Sequence, residues 1–323
     1  MKTKNTCTEI LKPINQLNLY GYEYYFDNFA NLYKNNKLPN TILLSGSKGL
    51  GKSTFAYHFI NYLLSNNEDH KYSFDNYAIN SSNNSYHHLC NNTHTNFFLL
   101  ENENSEENIK VEKVRNLLRF LNKTTYNSNI KIVLIDNAEF LNVNSSNALL
   151  KVLEEPSKNT YFFIIHDSSN MILNTIKSRC VEFKVYLSND SKKEILRKII
   201  YQHDLNYNLN NINDDFYYAT PGNILKYLSI FHDVEINLQK DRMFCIDYLI
   251  DKYKKKKDPE LLNFISMHIE LFYNQLCLEN NNNSNLYFYN KMKIIKQFYE
   301  SKKFHLDMNS FFVSIKKILY NER

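Results

Sequence analysis

The sequence predicts an α/β domain with a parallel sheet, followed by a small helical segment and an all-helical C-terminal region. Two observations carry this. Five short apolar runs, Thr41 to Leu44, Phe97 to Leu100, Lys131 to Ile135, Tyr161 to Ile165 and Val181 to Val185, read as strands buried on both faces, the pattern of a covered parallel sheet. Between them lie stretches of helical periodicity.

Each intervening helix has its own signal. Ser53 to Leu64 places Phe55, Phe59, Ile60 and Leu63 on one face. Val111 to Leu121 does the same with Val111, Val114, Leu117, Leu118 and Leu121. Ser145 to Glu155 carries Leu149, Val152 and Leu153 and stops at Pro156, which cannot continue a helix. The α/β pattern ends near residue 187, and Ser191 to Glu194 spells a capping box ahead of Ile195, Leu196 and Ile199. Three domains are expected: 1–187, a helical lid at 188–230 with a break at Thr220 to Asn223, and a helical domain at 231–323. The last is interrupted by the Lys254 to Lys257 run with Asp258-Pro259, and by an Asn-rich loop at 280–285. The other Asn-rich tracts, 65–67 and 81–84, read as surface loops.

Composition bounds the function classes. With 43% hydrophobic residues among 323, the chain can bury cores. The excess of 25 Tyr and 22 Phe over 5 Gly and 5 Pro, with heavy use of Asn, Lys and Ile, reflects AT-rich coding. The net charge of +5 therefore carries little weight as a sign of a polyanionic partner. Five scattered cysteines, at 7, 90, 180, 245 and 277, argue against a disulfide framework and fit a reducing compartment. With neither an apolar leader nor a membrane-length apolar run in view, a soluble, cytoplasmic protein is expected.

Gly46-Ser47-Lys48-Gly49-Leu50-Gly51-Lys52-Ser53 matches the phosphate-loop spelling G-x-x-x-x-G-K-[ST], with a strand before it and a helix after. Glycines let successive N–H groups curl around a phosphate, and the following helix points its positive end at the anion. Lys52 would neutralise β/γ oxygens of ATP, Ser53 would hold Mg²⁺, and Thr54 follows within the same site. The plain alternative is a glycine-rich turn that binds nothing. Lys131 to Asp136 is an apolar strand ending in a carboxylate that would reach Mg²⁺ through water, or simply cap the next turn. The next position, where hydrolysis usually needs a second carboxylate, is Asn137, whose amide cannot accept a proton at neutral pH. Glu139 is expected to lie away from the site. These residues favour ATP binding over ATP hydrolysis. No clustered carboxylates suggest polymerase or nuclease chemistry.

Leu141 to Pro156 reads L-N-V-N-S-S-N-A-L-L-K-V-L-E-E-P, and Ser178-Arg179-Cys180 follows. With Leu19-Tyr20-Gly21-Tyr22-Glu23, Leu38-Pro39-Asn40 and Val114-Arg115-x-Leu117, this resembles the AAA+ clamp-loader family, and within it the delta-prime subunits of bacterial DNA polymerase III. The resemblance covers residues 15 to 187 well, the lid weakly and the helical C-terminus by position only. It implies an AAA+ P-loop domain, a lid and a C-terminal oligomerisation collar. It also implies gamma/tau motor and delta subunits as partners, with the sliding clamp and primed DNA reached through the complex. Arg179 would then be an arginine finger supplied in trans, the bland alternative being a surface arginine in a salt bridge. Where family motors carry a second-sensor arginine, this chain has Ala219 to Gly222. The first sensor should lie within His166 to Ser168. Some members carry a four-cysteine zinc module; His87, His88, Cys90 and His94 stand there, cramped in an Asn-rich region, so a surface loop is expected and no zinc. The rival classes are an independent DNA-stimulated ATPase, such as a helicase loader or recombination ATPase, and a small-molecule kinase, which would place its P-loop nearer the N-terminus and lack the Ser-Arg-Cys motif.

Overall fold

In the computed structural model the chain is described over residues 12–102, 108–123, 130–203, 205, 219–231, 242–280, 283–304 and 306–321. The first eleven residues, residues 204 and 206–218 of the expected lid, and the tip of the Asn-rich loop at 281–282 lie outside the described residues. These fall into two compact units, one up to Phe231 and one from Arg242 onward.

In the first unit the elements run α1 (Glu23–Lys34), β1 (Thr41–Gly46), α2 (Lys52–Leu64), α3 (Asn84–Cys90), β2 (Phe97–Leu100), α4 (Val111–Leu121), β3 (Lys131–Ile135), α5 (Val143–Glu154), β4 (Thr160–Asp167), α6 (Asn174–Lys177), β5 (Val181–Lys184), α7 (Asn189–Gln202) and α8 (Pro221–Ile230). The five strands form one all-parallel sheet in the order β2-β3-β4-β1-β5. Every apolar run expected to be a strand is one.

Alternation along the strands explains why the runs are continuously apolar. Ile42, Leu44, Ile132, Leu134, Phe163 and Ile165 pack on one face with Phe29, Phe55, Phe59 and Leu63 of α1 and α2. Leu43, Val133, Ile135, Phe162 and Ile164 pack on the other with Val114, Leu117, Leu149 and Leu153 of α4 and α5. Helices on both faces leave no side of the sheet for polar residues. The tyrosine and phenylalanine excess is spent inside: Phe26 is fully buried and meets Phe55, Phe59, Tyr62, Tyr72, Phe74 and Tyr77, stacking on Tyr72 at 5.0 Å between centroids.

One local expectation is corrected. The cap of α7 is Ser188, whose Oγ accepts the Ser191 N–H at 3.1 Å, and Ser191 and Glu194 lie inside the helix. Glu194 pairs with Lys198 one turn on instead of reaching back to a cap. The same serine-every-three spelling fits either start, and the earlier one lets the helix take in three further residues.

The second unit holds α9 (Arg242–Lys256), α10 (Pro259–Glu279), α11 (Ser284–Lys303) and α12 (Met308–Asn321). Asp258 caps α10 through Glu260 N–H at 3.0 Å, with Pro259 at the first helical position, where its missing N–H is harmless. Ile246, Leu249, Ile265, Ile269, Phe312 and Ile315 form the buried interior. Among the described residues no helix is long and apolar enough to cross a membrane.

His58 on α2 is wholly buried between Gln16 O at 2.9 Å and Tyr72 Oη at 3.1 Å. Burial lowers its pKa to about 4, so it is neutral in the folded chain at pH 7. The unfolded chain takes up a proton at this site first as pH falls from 6.5, so folding stability should drop between pH 6.5 and about 4, by roughly 3 kcal/mol from this residue. Chemical denaturation across that range, compared with His58→Gln, checks it: the variant should show a flatter pH profile.

Candidate nucleotide site and the edge carrying Arg179

The loop 46–53 joins the carboxyl end of β1 to α2, whose first residue is Lys52. Its backbone is fully anchored on the carbonyl side. Gly46 O accepts from Ser168 N–H at 3.1 Å and Lys52 Nζ at 2.6 Å, and Ser47 O from the same ammonium at 2.8 Å. Lys48 O accepts from Thr220 Oγ1 at 2.7 Å, Gly49 O from Gly222 N–H at 2.9 Å, Leu50 O from Tyr22 Oη at 3.1 Å and Gly51 O from Phe55 N–H at 2.9 Å.

The start of α8 thus sits directly on the loop tip. Gly49 has φ +81°, and a Cβ there would lie 2.4 Å from Thr220 Oγ1. A Cβ on Gly222 would lie 2.9 Å from Gly49 O. Thr220 occupies the cap position of α8 but makes no cap bond with its side chain, because that hydroxyl is bonded to Lys48 O. The sequence showed this segment only as a break lacking an arginine; its contact with the loop is non-local and left no pattern to read.

Ser53 and Asp136 come together as expected. Ser53 Oγ stands 3.2 and 3.1 Å from the two carboxylate oxygens of Asp136, at the end of β3, and Thr54 follows on the first turn of α2. The strand register makes this meeting possible: β3 and β1 flank β4, so their carboxyl ends face the same edge. Burial raises the Asp136 carboxyl above its ordinary pKa, while Ser53, the Asn137 N–H and Lys52 pull it down. Lys52 is buried, which lowers its pKa, with Asp167, Glu139 and Asp136 acting in the opposite sense.

Asn137 is in the left-handed region at φ 56°, which asparagine tolerates, and its amide donates to Asn102 Oδ1 at 3.3 Å. Glu139, expected to point away, does not. Its carboxylate accepts the Asp167 N–H at 3.2 Å at the end of β4 and acts electrostatically on Lys52. The short helical turn 138–140 after the kinked Asn137 reverses the chain, a geometry that residue spacing could not reveal. Of the first-sensor candidates, His166 is buried on β4 with Nε2 3.0 Å from Asn170 O. Asp167 accepts from Ser169 N–H at 3.0 Å and Asn170 Nδ2 at 3.3 Å.

Arg179 lies at the other end of β1. Its carbonyl accepts from Thr41 Oγ1 at 2.7 Å, at the first residue of that strand. Gly46 is five residues further along, roughly 17 Å away at about 3.3 Å per residue. The guanidinium therefore cannot reach the chain's own loop. Its side chain is 26% exposed and pairs with Glu154 at 2.7 Å. Burial pushes the neighbouring Cys180 thiol up to about 12, and its Sγ donates to Ile176 O at 3.2 Å.

His87, His88 and Cys90 lie on α3, with His94 just beyond. His88 Nδ1 is 3.1 Å from Thr93 Oγ1, and His94 Nε2 3.4 Å from Ser85 Oγ. Among the described residues no three His, Cys, Asp or Glu side chains gather as a metal centre.

A family model described as DNA polymerase III, delta subunit, matches residues 22–188, the span that holds the loop, Asp136 and Arg179. The chain belongs to this family. A 90-residue stretch is 47% identical to DNA polymerase III subunit delta' of Pseudomonas aeruginosa, covering 28% of this chain and 27% of that protein. The delta' subunit of Buchnera aphidicola (subsp. Baizongia pistaciae) is 27% identical over 251 residues, 76% of this chain and 68% of its own length. The matched stretch is thus about a quarter of the first relative and two thirds of the second. A crystal structure of a DNA polymerase III gamma subunit-related protein from Thermotoga maritima shares the fold, with TM-score 0.50 and 15% identity over 91% of this chain and 99% of that one. The parallel sheet, its flanking helices and the helical C-terminal region are shared with that Thermotoga structure as a fold.

The loop–helix contact predicts the effect of one methyl group. Gly222→Ala forces a Cβ against Gly49 O and should destabilise the first unit by about 1–3 kcal/mol. Thermal unfolding of the purified chain measures it, with Asn223→Ala, which adds no atoms there, as the comparison.

Proposed function

We propose that the chain is the delta-prime-type subunit of a DNA polymerase III clamp loader, acting in the cytoplasm. It binds ATP with Mg²⁺, hydrolyses it weakly or not at all, and supplies Arg179 to the ATP held by a neighbouring gamma/tau-type motor subunit. The delta subunit completes the assembly, which places a sliding clamp on primed DNA. The observation that carries the reading is the placement of Arg179: partly exposed and about one strand length from its own loop, so any triphosphate it serves belongs to another subunit.

The residues fit a nucleotide and its metal. Gly46, Ser47, Lys48, Gly49, Leu50 and Gly51 present a loop whose carbonyls are hydrogen-bonded within the chain, and Lys52, now on two of those carbonyls, is the cation that would turn to β/γ oxygens. Ser53 and Asp136 already meet and would hold Mg²⁺, directly and through water. Bound Mg²⁺ supplies charge neutralisation at the phosphates. Asn137, turned to Asn102, offers no proton acceptor beside Asp136. At the neighbour's site a guanidinium is suited to the developing charge, being always protonated and able to fork two phosphate oxygens.

One observation favours a second reading, an independent ATPase. Glu139 is turned toward the Lys52 side of the sheet edge and burial raises its carboxyl pKa. Turnover by the purified chain that is lost in Glu139→Gln would support it; absence of turnover supports the binding role.

Two outcomes test the main reading. Lys52→Ala should abolish ATP binding by the isolated chain in calorimetry, and a wild-type chain that binds no ATP at millimolar levels would contradict the binding role. Arg179→Ala should depress turnover at the neighbouring site of the reconstituted complex by about 10³-fold, with Arg179→Lys failing to rescue because an ammonium lacks the planar fork. Unchanged turnover in that complex would refute the finger assignment.

A further inference from the structure

The Arg179 guanidinium is occupied within its own chain. Nη2 donates to Glu154 Oε1 at 2.7 Å, and Nη1 donates to Thr175 O at 2.9 Å and Ser178 Oγ at 3.3 Å. Nε is buried and has no hydrogen-bond partner among the described residues. A two-pronged grip on phosphate needs two N–H groups of the fork facing the ligand. Both terminal nitrogens are already engaged here, and the third is closed off from solvent. Glu154, in turn, is the last residue of α5, where a carboxylate opposes the negative end of the helix and gains from a cation beside it. Its side chain is 55% exposed and borders an open polar groove of 630 Å³ with Asn40, Thr41, Pro156, Ser178 and Arg179.

We infer that Glu154 is a counter-ion that parks Arg179 against its own chain until a triphosphate from the neighbouring subunit displaces it. The inference rests on the finger reading above. Glu154 acts as a positioning residue: it touches the guanidinium and no part of the nucleotide. An exposed ion pair is weak, so it can hold one orientation and still yield to an anion of higher charge. Releasing it therefore changes engagement several-fold, whereas removing the guanidinium changes the rate by orders of magnitude.

The test uses the reconstituted clamp-loader complex and a full ATP titration. Glu154→Gln keeps shape and removes charge. It should lower the KM for ATP at the neighbouring site by about two- to fivefold, with kcat moving less than KM. In an Arg179→Ala background the same change should have no effect. A KM that does not fall, or a fall in kcat larger than the change in KM, overturns the parking role, the latter because it would mean Glu154 aims the finger during turnover. If Arg179→Ala leaves turnover intact, the finger reading fails and parking fails with it. If Arg179→Ala depresses turnover and Glu154→Gln changes nothing, only parking fails. The melting temperature of Glu154→Gln should match the wild type, since its side chain is exposed; an unfolded variant is replaced by Glu154→Ala with the same readouts.

Discussion

Backbone polarity at the loop after β1 is the constraint on which the rest of the site depends. Six consecutive carbonyls, from Gly46 to Gly51, each accept a hydrogen bond, and the donors come from four separate parts of the chain: Lys52 and Phe55 on α2, Ser168 after β4, Tyr22 before α1, and Thr220 and Gly222 at the start of α8. A tight loop at a sheet edge has few partners of its own, and a carbonyl left unmet away from water would cost about 1–3 kcal/mol. Holding the loop in this shape thus requires the sheet, the N-terminal segment and the first turn of α8 at once.

The same constraint gives meaning to several residues away from the loop. Tyr22 is buried against Phe55 and uses its hydroxyl on Leu50 O, so an aromatic that first reads as core is also a brace. Thr220 and Gly222 make neutral hydrogen bonds to the loop carbonyls of Lys48 and Gly49. A neutral hydroxyl there can hold the loop but cannot follow charge on a nucleotide, which accords with a chain proposed to bind rather than to drive.

The sheet separates the two chemical edges. β1 carries the loop at its carboxyl end and, through Thr41, the Arg179 carbonyl at its amino end. Because β1 lies between β4 and β5 and is buried on both faces, neither end can move without disturbing the core. The parallel register therefore sets how far apart the loop and Arg179 stand. The Glu154–Arg179 pair at that edge lies near the surface, where an ion pair costs little to make or break.

Apolar period and turn chemistry were enough, from the amino-acid order alone, to locate all five strands and the helices α2, α4 and α5, because those signals are local and the sheet is fully covered. Ser53, Asp136 and Arg179 were picked out by motif spelling, Arg179 only through the resemblance to a known family. Only the folded chain decided that Ser188 caps α7 in place of Ser191, that Glu139 turns back to Asp167, that Thr220 and Gly222 seat on Gly49, and that Glu154 holds Arg179. The last three contacts join residues 25 to 173 positions apart through single hydrogen bonds, and such contacts impose no periodicity for a sequence to display.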